Sequence, residues 1–88
     1  MTYDLRFSRN SRNHIQRLDQ DTKRRVIARI EDLASDPYDP RISEPLKGKP
    51  NTRKSRIGGW RIVFDVDREN RRIDVLAVQP RGQVYHRI

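Results

Sequence analysis

Arg53-Lys54-Ser55-Arg56-Ile57-Gly58-Gly59-Trp60-Arg61-Ile62-Val63-Phe64 is the stretch that decides the fold. Two runs that can alternate between faces flank a diglycine, which reads as the two-residue loop of a tight hairpin. Such loops need positive φ, and glycine reaches it without a Cβ clash. A loop of that length sets Ile57 opposite Trp60, Arg56 opposite Arg61, Ser55 opposite Ile62 and Lys54 opposite Val63. Ile57, Trp60, Ile62 and Phe64 then share the core face, while Lys54, Arg56 and Arg61 share the other. Like charges directly across a ladder destabilise it. The basic face is therefore either a solvated surface or a surface with a use for its charge, and the hairpin alone does not decide between them.

Outward from the hairpin, Thr2 to Phe7 alternates, with Tyr3, Leu5 and Phe7 on one face, and reads as a short half-buried strand. Ser8 can cap a first helix running to about Leu18, with Ser11, Ile15 and Leu18 at helical spacing. His14 beside that stripe reads as a helix-surface histidine. Asp19 or Asp21 starts a second helix ending near Ala34, whose apolar stripe is Val26, Ile27, Ile30, Leu33 and Ala34. Pro37 and Pro40 stop it. From Arg41 to Asn51 the chain reads as a loop pinned to the core by Leu46. Trp60 to Val66 is a strand, Asp67 to Asn70 a turn, Arg72 to Val78 a central strand, and Gln83 to Ile88 a last strand or tail. The expected fold is α+β: an N-terminal strand, an αα-hairpin, then a three- to four-stranded antiparallel sheet with both helices on one face.

The 88 residues make one small domain, 1–88. Lysine and arginine number 20 against 12 acids, a formal charge of +8, and the pI is about 10.8. A field of that sign favours a polyanion, and the predominance of arginine suits phosphate recognition. Between Arg41 and Arg61 the only acid is Glu44, so this region is the most positive in the chain; Lys47, Lys49 and Arg53 within it read as RNA- or ribosome-binding cations. With no cysteine there is neither a disulfide framework nor a thiolate metal site, and no cofactor or metal is expected. No apolar run suggests a signal peptide or a membrane span, so the expected location is the cytoplasm, away from any membrane.

Near the end of the chain, Arg81 follows the central strand, and Tyr85 and His86 come after it. Cations, an aromatic ring and a titratable group are what phosphodiester cleavage needs when no metal takes part. Arginine neutralises charge growing on phosphate oxygens, a ring stacks on a splayed base, and a proton must be moved. Four short stretches complete a resemblance covering nearly the whole chain. They are Leu46-Lys47-Gly48, the basic strand Lys54 to Gly58, Gly59-Trp60-Arg61-Ile62-Val63-Phe64, and Val78-Gln79-Pro80-Arg81-Gly82-Gln83-Val84-Tyr85. In that order and spacing they resemble the RelE/ParE toxins of bacterial and archaeal toxin–antitoxin modules.

The resemblance implies a compact, metal-independent mRNA endoribonuclease. RelE-type members cut mRNA in the ribosomal A site by attack of a ribose 2′-hydroxyl, leaving a 2′,3′-cyclic phosphate and a 5′-hydroxyl. Carried over, Arg61 matches the motif arginine, Lys54 and Arg56 the basic strand, Arg81 the arginine before the terminal tyrosine, and Tyr85 that tyrosine. Lys54 becomes the candidate for assisting 2′-hydroxyl deprotonation, on the premise that its neighbours are cations. Gln79-Pro80 and Thr52 depart from the family pattern, and His86 is the candidate for the proton transfer thereby lost. The implied partners are a cognate acidic antitoxin, in a toxin–antitoxin hetero-oligomer, together with the ribosome and mRNA. Three alternatives stay open: a ParE-type gyrase inhibitor, a non-catalytic nucleic-acid-binding module, and an inactive antitoxin-binding scaffold.

Overall fold

The computed structural model describes residues 2–80. In chain order these form β1 (Asp4–Phe7), α1 (Arg9–Gln16), α2 (Gln20–Ser35), β2 (Glu44–Leu46), β3 (Lys49–Ile57), β4 (Trp60–Asp67) and β5 (Arg72–Pro80). Both helices start where a short polar side chain can take an orphan backbone donor. The Ser8 hydroxyl accepts from the Ser11 N–H at 3.0 Å, and the Asp19 carboxylate accepts from the Thr22 N–H at 3.2 Å. Hydrogen bonding to Thr22 holds the Asp19 carboxyl below its ordinary value.

The strands form one sheet in the order β1-β5-β4-β3-β2. The hairpin has the register that its two-residue turn dictates, with Ile57 opposite Trp60 and Arg56 opposite Arg61. Only the first glycine, Gly58, has positive φ, at 57°, which matches the hairpin turn that needs glycine at its first central position. Both helices lie on one face of the sheet. Val26, Ile30 and Leu33 of α2 close a core with Ile62, Phe64 and Val66 of β4 and Ile73, Val75 and Val78 of β5.

The expected α+β fold is present, with four antiparallel strands, β2 to β5, and both helices on one face. Several details differ: β1 joins the sheet parallel to β5, pairing Asp4 with Arg72 and Phe7 with Val75. Its start is also tied to the end of α2, where the Tyr3 N–H meets the Ala34 carbonyl at 2.8 Å and satisfies one of that helix's free acceptors. The fifth described strand is β2, inside the expected Arg41–Asn51 loop, and β3 begins at Lys49 rather than within the hairpin motif. The β2–β3 ladder shifts register between Pro45 and Leu46, so Pro50 can occupy a strand without depriving a partner of a donor. Ile42, not Leu46, is the loop residue packed on the core. Trp60 lies on the core face as expected, half-buried at the core's rim. Gln83 to Ile88 lies outside the described residues.

A bulge explains the central strand. Val63 pairs with Ala77 but Phe64 pairs with Val75, so Leu76 has no opposite number and the strand changes phase there. This is why Val75 and Val78, three residues apart, both face the core. Side chains from the first helix meet the backbone groups around the bulge. The Ser8 hydroxyl donates to the Leu76 carbonyl at 3.0 Å, and His14 Nδ1 accepts from the Val78 N–H at 3.1 Å. His14 is thus a structural acceptor, not a surface ornament. No helix among the described residues is long and apolar enough to cross a membrane.

These placements predict a graded series in chemical denaturation. Phe64→Ala, at a fully buried site, should cost about 3–5 kcal/mol, and Trp60→Ala clearly less. His14→Ala strands the Val78 N–H and should cost about 1–3 kcal/mol. Equal losses for Phe64→Ala and Trp60→Ala would contradict the assigned core.

Candidate active site

The sheet face away from the helices carries the candidate residues, and cross-strand pairing arranges them in rows. One row runs Glu44, Lys54, Val63, Ala77 across β2, β3, β4 and β5. The next runs Arg56, Arg61, Gln79 across β3, β4 and β5. Lys54, Arg56 and Arg61 therefore stand together on one face around an apolar floor. Among the described residues no side chain forms a hydrogen bond or ion pair with the Lys54 ammonium.

The premise that only cations surround Lys54 is corrected. Glu44 is its cross-strand partner, and the Glu44 carboxylate lies 3.6 Å from Arg56 Nε. Both members of that ion pair are about half exposed, 51% and 50%, so water screens it and leaves both groups available to a ligand. Glu44 is the functional candidate that the sequence reading passed over. Its signal was present in being the only acid between Arg41 and Arg61. A cleft of about 220 Å³ is lined by Glu44, Lys54 and Arg56 together with the loop residues Pro40 to Ser43. Arg41 on its rim is held by Asp39 at 2.9 Å, a bond that keeps the Asp39 carboxyl below its usual range.

Arg61 sits on the second row, half-buried, and its Nη2 donates to Gln79 Oε1 at 3.1 Å. Its Nε is buried and has no acceptor among the described residues. From behind, α2 fixes the strand that presents Arg56. Arg29 Nη1 donates to the buried Ser55 hydroxyl at 3.0 Å and to the Arg56 carbonyl at 2.6 Å.

The remaining expected residues are not gathered in this way. Arg53 is cross-strand from Phe64, on the helix side, where it donates to Ser43 Oγ at 2.7 Å and stacks 4.9 Å over Tyr38. Lys47 and Lys49 are exposed around the β2–β3 turn, away from the rows. Thr52 is buried and bonds Asp65 at 2.5 Å. Arg81, Tyr85 and His86 lie outside the described residues. Among the described residues no group of three histidine or acidic side chains is placed to hold a metal ion.

The other end of the same face has the opposite character. Thr52, Asp65 and Asp74 form a row there. A hollow of about 420 Å³ beside it is lined by Asp65, Asp67, Glu69 and Asp74 as well as arginines. Arg72 spends its charge on Asp67 and Asp74, at 3.5 and 3.3 Å. A phosphate is therefore attracted more strongly to the Lys54–Arg61 end than to this one.

Residues 5–85 match the family model described as the ParE toxin of the type II toxin–antitoxin system parDE. No curated protein sequence matches the chain. Among solved structures, the chain is similar to that of the toxin–antitoxin complex RelBE2 from Mycobacterium tuberculosis. That match has 25% identity and a TM-score of 0.80, covering 92% of this chain and 100% of the other. It is also similar to the archaeal RelE–RelB complex from Pyrococcus horikoshii, with 23% identity, TM-score 0.81, and 94% and 99% of the two chains covered. The isolated E. coli RelE toxin gives 22% identity and a TM-score of 0.79 over 94% of this chain and 90% of that one.

The Arg29 contacts give a test of how the site is supported. Arg29→Ala should lower stability by roughly 1–2 kcal/mol, and Arg29→Lys should restore only part, since lysine cannot reproduce the planar donor set. Amide exchange should accelerate along β3. Unchanged exchange there would mean that α2 does not brace the strand through this residue.

Proposed function

The chain belongs to the ParE toxin family of type II toxin–antitoxin systems, within the RelE/ParE superfamily, and from that membership we propose that it is a metal-independent mRNA endoribonuclease. What carries this reading is the gathering of Lys54, Arg56 and Arg61 with one carboxylate, Glu44, on a sheet face that no helix covers. A gyrase inhibitor or a scaffold has no need of like charges held directly opposite each other. A phosphodiester in the transition state does, because its equatorial oxygens gain charge that fixed cations stabilise.

In the proposed reaction the scissile phosphate lies between Arg56 and Arg61. The ribose 2′-oxygen forms a bond to phosphorus and the bond to the 5′-oxygen breaks, leaving a 2′,3′-cyclic phosphate and a 5′-hydroxyl. Glu44 accepts the 2′-hydroxyl proton, since a carboxylate is ready to do so at neutral pH while a lysine must first lose its own proton. Lys54 then serves as a third cation, in revision of its role as base. Arg81 adds a further cation, Tyr85 stacks on a substrate base, and His86 returns a proton to the leaving oxygen. Exposed Lys47 and Lys49 contact the ribosomal RNA backbone. An acidic antitoxin, complementary to the +8 charge, covers the basic face in a cytoplasmic hetero-oligomer.

The family model's ParE description favours a second reading, inhibition of DNA gyrase. Primer extension on translated mRNA, run beside a gyrase supercoiling assay, separates the two. Wild type should cleave mRNA and leave gyrase active. Arg61→Ala should lose roughly 10²–10³-fold in rate, and Glu44→Gln about 10²-fold or more. Lys54→Ala should lose less, in a salt-dependent manner. Tyr85→Phe should keep most activity and Tyr85→Ala should not, since stacking survives in phenylalanine. Unchanged cleavage in Arg61→Ala and Glu44→Gln would remove the site assignment.

A further inference from the structure

Arg61 stands between two unlike neighbours. On the β3 side is Arg56, its direct cross-strand partner, which repels it. On the β5 side is Gln79, also a direct partner, whose Oε1 takes the Nη2 hydrogen at 3.1 Å. The guanidinium is thus drawn towards β5 by a neutral acceptor. The arrangement leaves something unmade, because Arg61 Nε is buried without an acceptor among the described residues. Charged buried donors are costly to leave unpaired, so this arrangement satisfies only part of the side chain.

We propose that Gln79 holds Arg61 in a resting position, and that a phosphate group of RNA draws it out by offering acceptors to both Nη2 and Nε. The exchange is favourable because one neutral hydrogen bond is given up for charge-assisted ones in the fork geometry of an arginine–phosphate pair. Gln79 is a positioning residue in this scheme. It touches Arg61, not the reacting atoms, and it sets how much of the arginine's attraction for phosphate is spent before RNA arrives. A carboxylate at the same point would hold the guanidinium against the ligand. An apolar residue would release it. The inference rests on the ribonuclease reading, which puts a phosphate beside Arg61.

The test is a double-mutant cycle on binding of a short 2′-O-methyl RNA, which lacks the nucleophile and cannot be cleaved, followed by fluorescence anisotropy. Gln79→Glu should weaken binding about tenfold when Arg61 is present and less than twofold in the Arg61→Ala background. Gln79→Ala should bind as well as wild type or a few-fold more tightly. If Gln79→Glu weakens binding equally in both backgrounds, the effect is general charge repulsion and the proposal is overturned. If Gln79→Ala weakens binding as much as Arg61→Ala does, Gln79 holds the arginine in its working position and the resting assignment is wrong. If Arg61→Ala binds like wild type, Arg61 takes no phosphate in the bound state and the proposal is overturned, whereas the ribonuclease reading fails only if Arg61→Ala also cleaves translated mRNA at the wild-type rate. A second readout does not depend on affinity. The Arg61 Nε–H proton resonance should move downfield when the RNA is added, and an unmoved resonance at saturation would overturn the exchange.

Discussion

Everything on the candidate face depends on the register of one hairpin. A two-residue turn with Gly58 at positive φ, 57°, fixes Ile57 against Trp60, and side-chain alternation does the rest. Ile62 and Phe64 are driven into the core while Arg56 and Arg61 are left opposite each other outside it. A slip of β4 by one residue would turn Arg61 into the core and expose the two apolar side chains. The core therefore enforces the charge cluster. Burial of Phe64 and Ile62 offsets the repulsion that the Arg56–Arg61 pair brings.

The surroundings reduce that repulsion without abolishing it. Glu44 leans on Arg56 from β2, Gln79 draws Arg61 towards β5, and Arg29 fixes the β3 backbone from the helix side. None of these is a buried ion pair. The result is a face whose positive end is only loosely neutralised, set against an end where Asp65, Asp67 and Asp74 lie near Thr52 and Arg72. Such a gradient across one sheet orients a polyanion as well as attracting it.

Much of this was legible in the sequence because the deciding signals are local. The diglycine gave the turn and so the register, Ser8 and Asp19 announced the helix starts, and the stripe of Val26, Ile30 and Leu33 marked the buried side of the second helix. What was missed depends on distant partners. The direction of β1 beside β5 is invisible in either segment. Glu44–Leu46 is too short, and too rich in proline nearby, to look like a strand, so Glu44 could not be put beside Lys54. The bulge at Leu76 reverses the phase of alternation, and the groups that meet the backbone around it, Ser8 and His14, are more than sixty residues away in the chain. Arg53 reads as one more cation of a basic run, yet its place opposite Phe64 turns it to Tyr38 on the helix side.

The central claim is that the face holding Lys54, Arg56, Arg61 and Glu44 cleaves RNA through its own 2′-hydroxyl. Mass spectrometry of the fragments released by the wild-type protein from translated mRNA tests this most directly. Every upstream fragment should carry a 2′,3′-cyclic phosphate and every downstream one a 5′-hydroxyl. Fragments ending in a 3′-hydroxyl and beginning with a 5′-phosphate would contradict it, as would intact mRNA in cells whose growth the protein has arrested.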